Sequence, residues 1–184
     1  DYEEKTFLGN TGNFDGEDII NIIVQQPATA RFVCRHLYNF FVADEVQVPA
    51  WTIEPARDED ALEKMTNAFT ESGYDMKAVL RIMFNSDFFK DARFSKIKSP
   101  TEVVLNTLKM VGAFRFPEPN LAGIAPETGY MGQALLDPPS VEGWYTGVEW
   151  INSGSLLARI NFVADEMTDT SLSGIKSIIS RMQA

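Results

Sequence analysis

From residue 17 onward the apolar positions of this chain recur at helical spacing. Met76, Val79, Leu80, Met83 and Phe84 follow the i, i+3, i+4, i+7, i+8 pattern of an amphipathic helix, with Asp75 placed to cap it. Leu62, Met65 and Phe69 mark one side of a helix over about 57–71, which Ser72-Gly73-Tyr74 stops. Pro27 at a first helical position opens another, to about 42, whose face carries Val33, Leu37, Phe40 and Phe41. Ser99-Pro100-Thr101-Glu102 is a capping box, and the helix behind it runs to about 111, before Gly112. A short helix is expected at about 127–136, then one striped by Leu156, Ile160, Val163 and Met167. A last one, near 172–182, carries Leu172, Ile175, Ile179 and Met182.

The run Ile19, Ile20, Ile22, Ile23, Val24 lies behind Asp15 and is apolar nearly all round. It predicts a buried helix at about 17–26, although periodicity alone leaves a strand open there. Residues 1–16, 43–55 and 113–125 read as irregular, broken by glycine, asparagine or proline. Alternating strand patterns are absent. The expected fold is all-α: one compact, irregular domain over 17–184 of about seven or eight helices with a long Pro/Gly/Trp loop, preceded by an irregular segment at 1–16.

Composition adds limits. The 184 residues suit one domain, and 45% apolar content argues against wholesale disorder. A net charge of −10 argues against a duplex nucleic-acid binder and against anionic membranes. Acids gather in 1–18 and 54–63, while 77–98 is locally basic; solvated helix faces are the favoured reading, with a basic patch for an acidic partner as the alternative. No run approaches the roughly 18–20 apolar residues of a membrane span. The single cysteine, Cys34, leaves no internal disulfide. The chain begins at Asp1, which reads as a fragment or a processed product.

Candidate chemistry centres on one loop: Asp137, Pro138, Pro139, Ser140, Val141, Glu142, Gly143 and Trp144, with Trp150 shortly after. Tandem prolines fix φ, and indoles bury large area only when their N–H finds a partner. Asp137, Glu142 and Glu149 beside Trp144 and Trp150 allow two readings. In one, the loop is structural or docks a partner, and Arg159 from the next helix clamps it through Glu142 or Asp137. In the other, two carboxylates and an aromatic platform act on carbohydrate. Arg31, Arg35 and Arg159 all sit on otherwise apolar helices, where arginine commonly anchors a loop.

Other chemistries find little support. Asn13, Asp15 and Gly16 fit three positions of an EF-hand loop, but Thr11 and Ile22 stand where carboxylates belong. Cys34 and His36, two residues apart on a helix, face different sides, which disfavours a zinc site or a thiol–imidazole pair. Gly143 and Gly147 lack the Lys-Ser/Thr of a phosphate loop. No metal or cofactor is called for.

An ordered series of short motifs runs through the chain. It opens with Phe14-Asp15-Gly16-Glu17-Asp18, Pro27-Ala28-Thr29-Ala30-Arg31-Phe32, Gly73-Tyr74-Asp75-Met76-Lys77 and Ser86-Asp87-Phe88-Phe89. Lys98-Ser99-Pro100-Thr101-Glu102, Gly132-Gln133, Pro138-Pro139-Ser140-Val141-Glu142-Gly143-Trp144, Trp150-Ile151 and Leu157-Ala158-Arg159 complete it. Over about residues 7–165 the series resembles the C-terminal part of the bacterial family catalogued as domain of unknown function 1800. The resemblance implies a longer, exported parent protein, with two partners for this chain: the missing N-terminal half and a sulfatase-like protein encoded by a neighbouring gene. It carries over no catalytic residue, and the tail after 168 has no counterpart in the motifs.

Overall fold

The structure, a computed structural model, describes residues 3–113 and 119–183. Within them the chain is mostly helical and divides into two compact units, Asp1–Lys96 and Ile97–Ala184.

The first unit opens with a two-stranded antiparallel hairpin, β1 (Lys5–Phe7) and β2 (Asn10–Gly12), in a stretch expected to be irregular. Three-residue strands are too short to show alternation. Leu8 and Gly9 make the turn at φ 47° and 81°. Four helices of more than two turns follow or nearly so: α1 (Gly16–Val24), α2 (Pro27–Phe41), α3 (Glu59–Glu71) and α4 (Met76–Asn85). A single turn, α5 (Asp87–Asp91), closes the set. Asp15, Asp58, Asp75 and Ser86 each cap the next helix by accepting a backbone N–H, as short polar side chains do at that position. The core of this unit joins Ala30, Cys34 and Tyr38 of α2 to Leu62, Met65 and Phe69 of α3 and Val79 and Met83 of α4.

In the second unit α6 (Pro100–Val111) starts at the Ser99–Glu102 capping box and ends on Gly112 at φ 76°. A 3-10 segment (Pro119–Ile124) leads into α7 (Ala125–Tyr130), shorter than expected because the chain leaves the helix at Gly132, at φ 100°. The loop 131–152 follows, then α8 (Ser153–Glu166) and α9 (Ser173–Met182). Val104, Leu108, Met131 and Phe162 form the core. Of the segment expected as loop at 113–125, residues 114–118 lie outside the described residues and Pro119–Ile124 is the 3-10 segment.

Three helices present a different face inward from the most apolar one. α1 buries no residue completely, against the expectation, because this short helix rests on α2 by one edge. α2 buries Ala30, Cys34, Arg35 and Tyr38, and leaves Phe40 and Phe41 exposed. α8 buries Ser155, Arg159 and Phe162, while Leu156, Ile160 and Met167 face solvent. In α2 and α8 the inward face carries an arginine with a backbone carbonyl to meet.

Candidate functional site

The loop that begins after α7 is held at three points. Gln133 Oε1 accepts hydrogen bonds from the N–H and hydroxyl of Thr101, at 2.9 and 2.8 Å, which ties the loop's start to the first turn of α6. Ala134 O then accepts from Asp137 N and from Trp144 Nε1, both at 3.2 Å. At the far end Trp150 is 5% exposed, and its carbonyl accepts from the Ser155 hydroxyl at 2.8 Å, next to the Asn152–Ser155 capping box. Trp144 and Trp150 are therefore the loop's internal struts: one spends its N–H on the backbone, and the other is packed away.

Between these anchors the chain is turned outward. Ser140 and Gly143 close a tight bridge, with Gly143 N donating to Ser140 O at 3.1 Å and Gly143 at φ 96°. Val141 at its tip is fully exposed, and Pro138 and Pro139 beside it are exposed. Leu136 is 95% exposed and sits at φ 64°, a left-handed conformation that costs a side-chain-bearing residue about 1–2 kcal/mol. Tyr145, half out of the surface, stands edge-on to Trp150 at 6.3 Å, and Val148 is exposed beyond it. The rim so formed carries exposed apolar side chains with the exposed Asp137 and Glu142 between them, on backbone that is hydrogen-bonded inside.

The carboxylates lie in the same loop but are not gathered by it. Asp137 and Glu142 are exposed and join no ion pair among the described residues; Glu142 N bonds Ser140 Oγ at 3.2 Å. Glu149 lies one residue before Trp150 on a 3-10 turn (Gly147–Trp150). Arg159 does not reach Glu142 or Asp137. Its Nη1 donates to Lys98 O at 2.8 Å, while Nε and Nη2 are buried without a partner among the described residues, and burial lowers the guanidinium's pKa. The clamp expected of Arg159 is thus made to the residue before the α6 cap rather than to the loop.

The loop-clamping role belongs to Arg35 instead. Its Nη2 donates to Glu45 Oε2 at 2.8 Å and to Pro55 O at 2.9 Å, and Nη1 to Glu54 O at 3.1 Å. The guanidinium also lies 4.7 Å from the Trp51 ring centre. Glu45 completes the arrangement by accepting from Arg57 N through its other oxygen at 3.0 Å. Glu45 escaped notice in the sequence because it lies in a loop, where no periodicity marks a buried carboxylate.

The remaining candidates are ordinary parts of the fold. Asp15 accepts from Glu17 N and Asp18 N as a helix cap. Cys34 is wholly buried, and burial pushes its thiol up to about 11. His36 points outward between the rings of Phe32 and Trp51, at 4.5 and 4.6 Å. Among the described residues no group of three His, Cys, Asp or Glu side chains is placed to hold a metal. A depression on the second unit gathers Glu127, Asp165 and Glu166 above Phe162; burial first, then Glu127 and Asp165, raise the Glu166 carboxyl. No helix is long and apolar enough to cross a membrane among the described residues.

Fold and loop together define a mostly α-helical protein with a long surface loop between α7 and α8. The chain belongs to the family described as protein of unknown function (DUF1800), whose profile matches residues 1–183. The match takes in the tail after 168, beyond the stretch marked by the motifs. No curated protein and no solved structure matches the chain.

Proposed function

We propose that this chain is a non-catalytic interaction module of an exported bacterial protein, and that it docks a protein partner on the rim formed by Leu136, Val141, Tyr145 and Val148. The observation that carries this reading is Leu136. A leucine held at φ 64° with its side chain 95% in water contributes nothing to folding and costs backbone energy. Strain of this kind clusters at functional sites, and Phe94 of the first unit, at φ 65° and 96% exposed, is a second instance outside the loop. The struts beneath it, Trp144 on Ala134 O and buried Trp150, fix the display before any partner arrives, which reduces the ordering cost of binding.

The partner in this reading is a sulfatase-like protein encoded by a neighbouring gene, a choice supported by the family resemblance alone. The test is co-expression of the full-length protein with that neighbour, followed by calorimetric titration of the purified pair. Leu136→Asp and Val141→Asp should each weaken the complex at least about tenfold, as loss of an interface anchor does. Urea denaturation should show both variants as stable as the wild type. Undiminished affinity in the double variant, or no complex with the wild type, would overturn the proposal.

A further inference from the structure

The first unit carries a surface feature of its own, separate from the loop. At the C-terminal ends of α2 and α4, the rings of Phe40, Phe41 and Phe84 stand edge-on in series, their centres 4.6 and 5.2 Å apart. They are 70%, 37% and 42% exposed. The uncovered ring surface comes to about 300 Å², the scale at which an apolar patch on a monomer is often functional. Lys77, Arg81 and Phe84 follow one another at helical spacing, so both cations share the face of α4 that carries the ring. Neither cation joins an ion pair among the described residues, and α4 holds no acid between Met76 and Asn85.

The complement to this face lies on α1 of the same unit. That helix buries no residue completely and leaves Ile20 and Ile23 exposed. Glu17, Ile20 and Ile23 recur every third residue, so a carboxylate and two isoleucines share one side. Glu17 is exposed and joins no ion pair among the described residues, and α1 contains no basic residue. Within one copy the two faces do not cover each other, since both stand in water.

Both helices place their charge toward the N-terminus and their apolar side chains toward the C-terminus, and the charges are opposite. The reach from Glu17 to Ile23 is about 9 Å and that from Lys77 to Phe84 about 10 Å at the rise of an α-helix. Laid parallel, the two therefore match along their length: Glu17 meets Lys77 and Arg81, while Ile20 and Ile23 meet Phe84 and its neighbours on α2. We propose that α1 of one copy of this chain seats on the Phe40–Phe41–Phe84 face of a second copy. Opposite charge sets the direction of the contact, and ring and isoleucine burial holds it. Each copy carries both faces, so the contact made in both directions closes a two-fold dimer. A lipid surface would account for the phenylalanines and cations but would leave the acid-flanked isoleucines of α1 uncovered.

The test is sedimentation velocity of the full-length protein at concentrations from about 5 to about 500 μM, the range expected of a small interface. The sedimentation coefficient should rise from that of a monomer to that of a dimer. Phe40→Ser and Ile20→Ser, on the two opposed faces, should each raise the dissociation constant at least about tenfold. Because the altered side chains are exposed, urea denaturation should find these variants folded; should one of them fail, the other tests the same contact from its own side. Glu17→Arg and Arg81→Glu should each weaken the dimer several-fold, and a chain carrying both should recover most of the loss, because the charges again oppose. A wild-type monomer at about 500 μM, a dimer untouched by Phe40→Ser and Ile20→Ser, or a double charge variant no tighter than the single ones would each overturn the proposal.

Discussion

Arg35 Nη2 lies 2.8 Å from Glu45 Oε2, and both side chains are almost wholly withdrawn from water. The pair, with the carbonyls of Glu54 and Pro55, holds the loop between α2 and α3 against the first core. Breaking one half of such a pair leaves the other charge buried and uncompensated. Glu45→Ala should therefore cost about 3–5 kcal/mol in urea denaturation, and replacing both residues by methionine should cost less than that single change. A cost under about 1 kcal/mol for Glu45→Ala would show that water reaches the site.

Arg159 should behave in the opposite way. It is buried as Arg35 is, at 8% exposure against 2%, but among the described residues it meets one neutral carbonyl and leaves two nitrogens orphaned. The desolvation cost offsets the single bond. Arg159→Met should change stability by about 1 kcal/mol or less, whereas Arg35→Met costs several times that. Equal losses in the two variants would refute the distinction.

Two glutamates should give opposite pH dependence. Arg31, bonded at 2.7 Å, and then Ala56 N hold the Glu59 carboxyl below the usual carboxylate range. Its contribution is present above the unfolded pKa and is lost as pH falls through the lowered folded one. Burial, with Glu127 and Asp165, raises Glu166, so its contribution is full below the unfolded pKa and is lost as pH rises through the raised one. Glu59→Gln should thus destabilise at neutral pH, Glu166→Gln should stabilise there, and both effects should fade by about pH 3 in denaturant titrations.

Cys34 should be inert while the protein is folded. With its thiol pushed to about 11 and no exposed surface, it offers neither thiolate nor access. Iodoacetamide at mildly alkaline pH should label it only when urea is added. Rapid stoichiometric labelling in buffer would contradict the packing described here.

Gly174 fixes how α9 seats on the end of α6. A Cβ there would collide with Met110 O and would stand 2.6 Å from Val111 C. Gly174→Ala should cost about 1–3 kcal/mol through overpacking. Ser173→Ala beside it serves as the control, with a smaller loss in the same thermal melt.

The helices were legible in the sequence wherever the pattern and the caps agreed. Leu62, Met65 and Phe69 of α3 are buried as their spacing predicts, and the Ser99–Glu102 box opens α6. The reading missed where an inward face carries charge. Phe40 and Phe41 look like the core of α2, but Arg35 turns in to meet acceptors ten and twenty residues away. Periodicity reports local preference and is silent on such distant partners. The same holds in α8, where Arg159 meets Lys98 O across 61 residues, and Leu156 and Ile160 are left outside. The candidate loop was located from its prolines and indoles. Which of its side chains face outward follows from Gly143 and Leu136 at positive φ, and those angles are invisible in composition.

Leu136 sets stability against use. Glycine at that position would relax the left-handed backbone and remove an apolar side chain from water, so a variant selected only for heat resistance should abandon the leucine early. The chain would then survive higher temperatures with its display surface blunted. A heat-hardened descendant that still keeps leucine there would identify the residue as one retained for its work rather than for the fold.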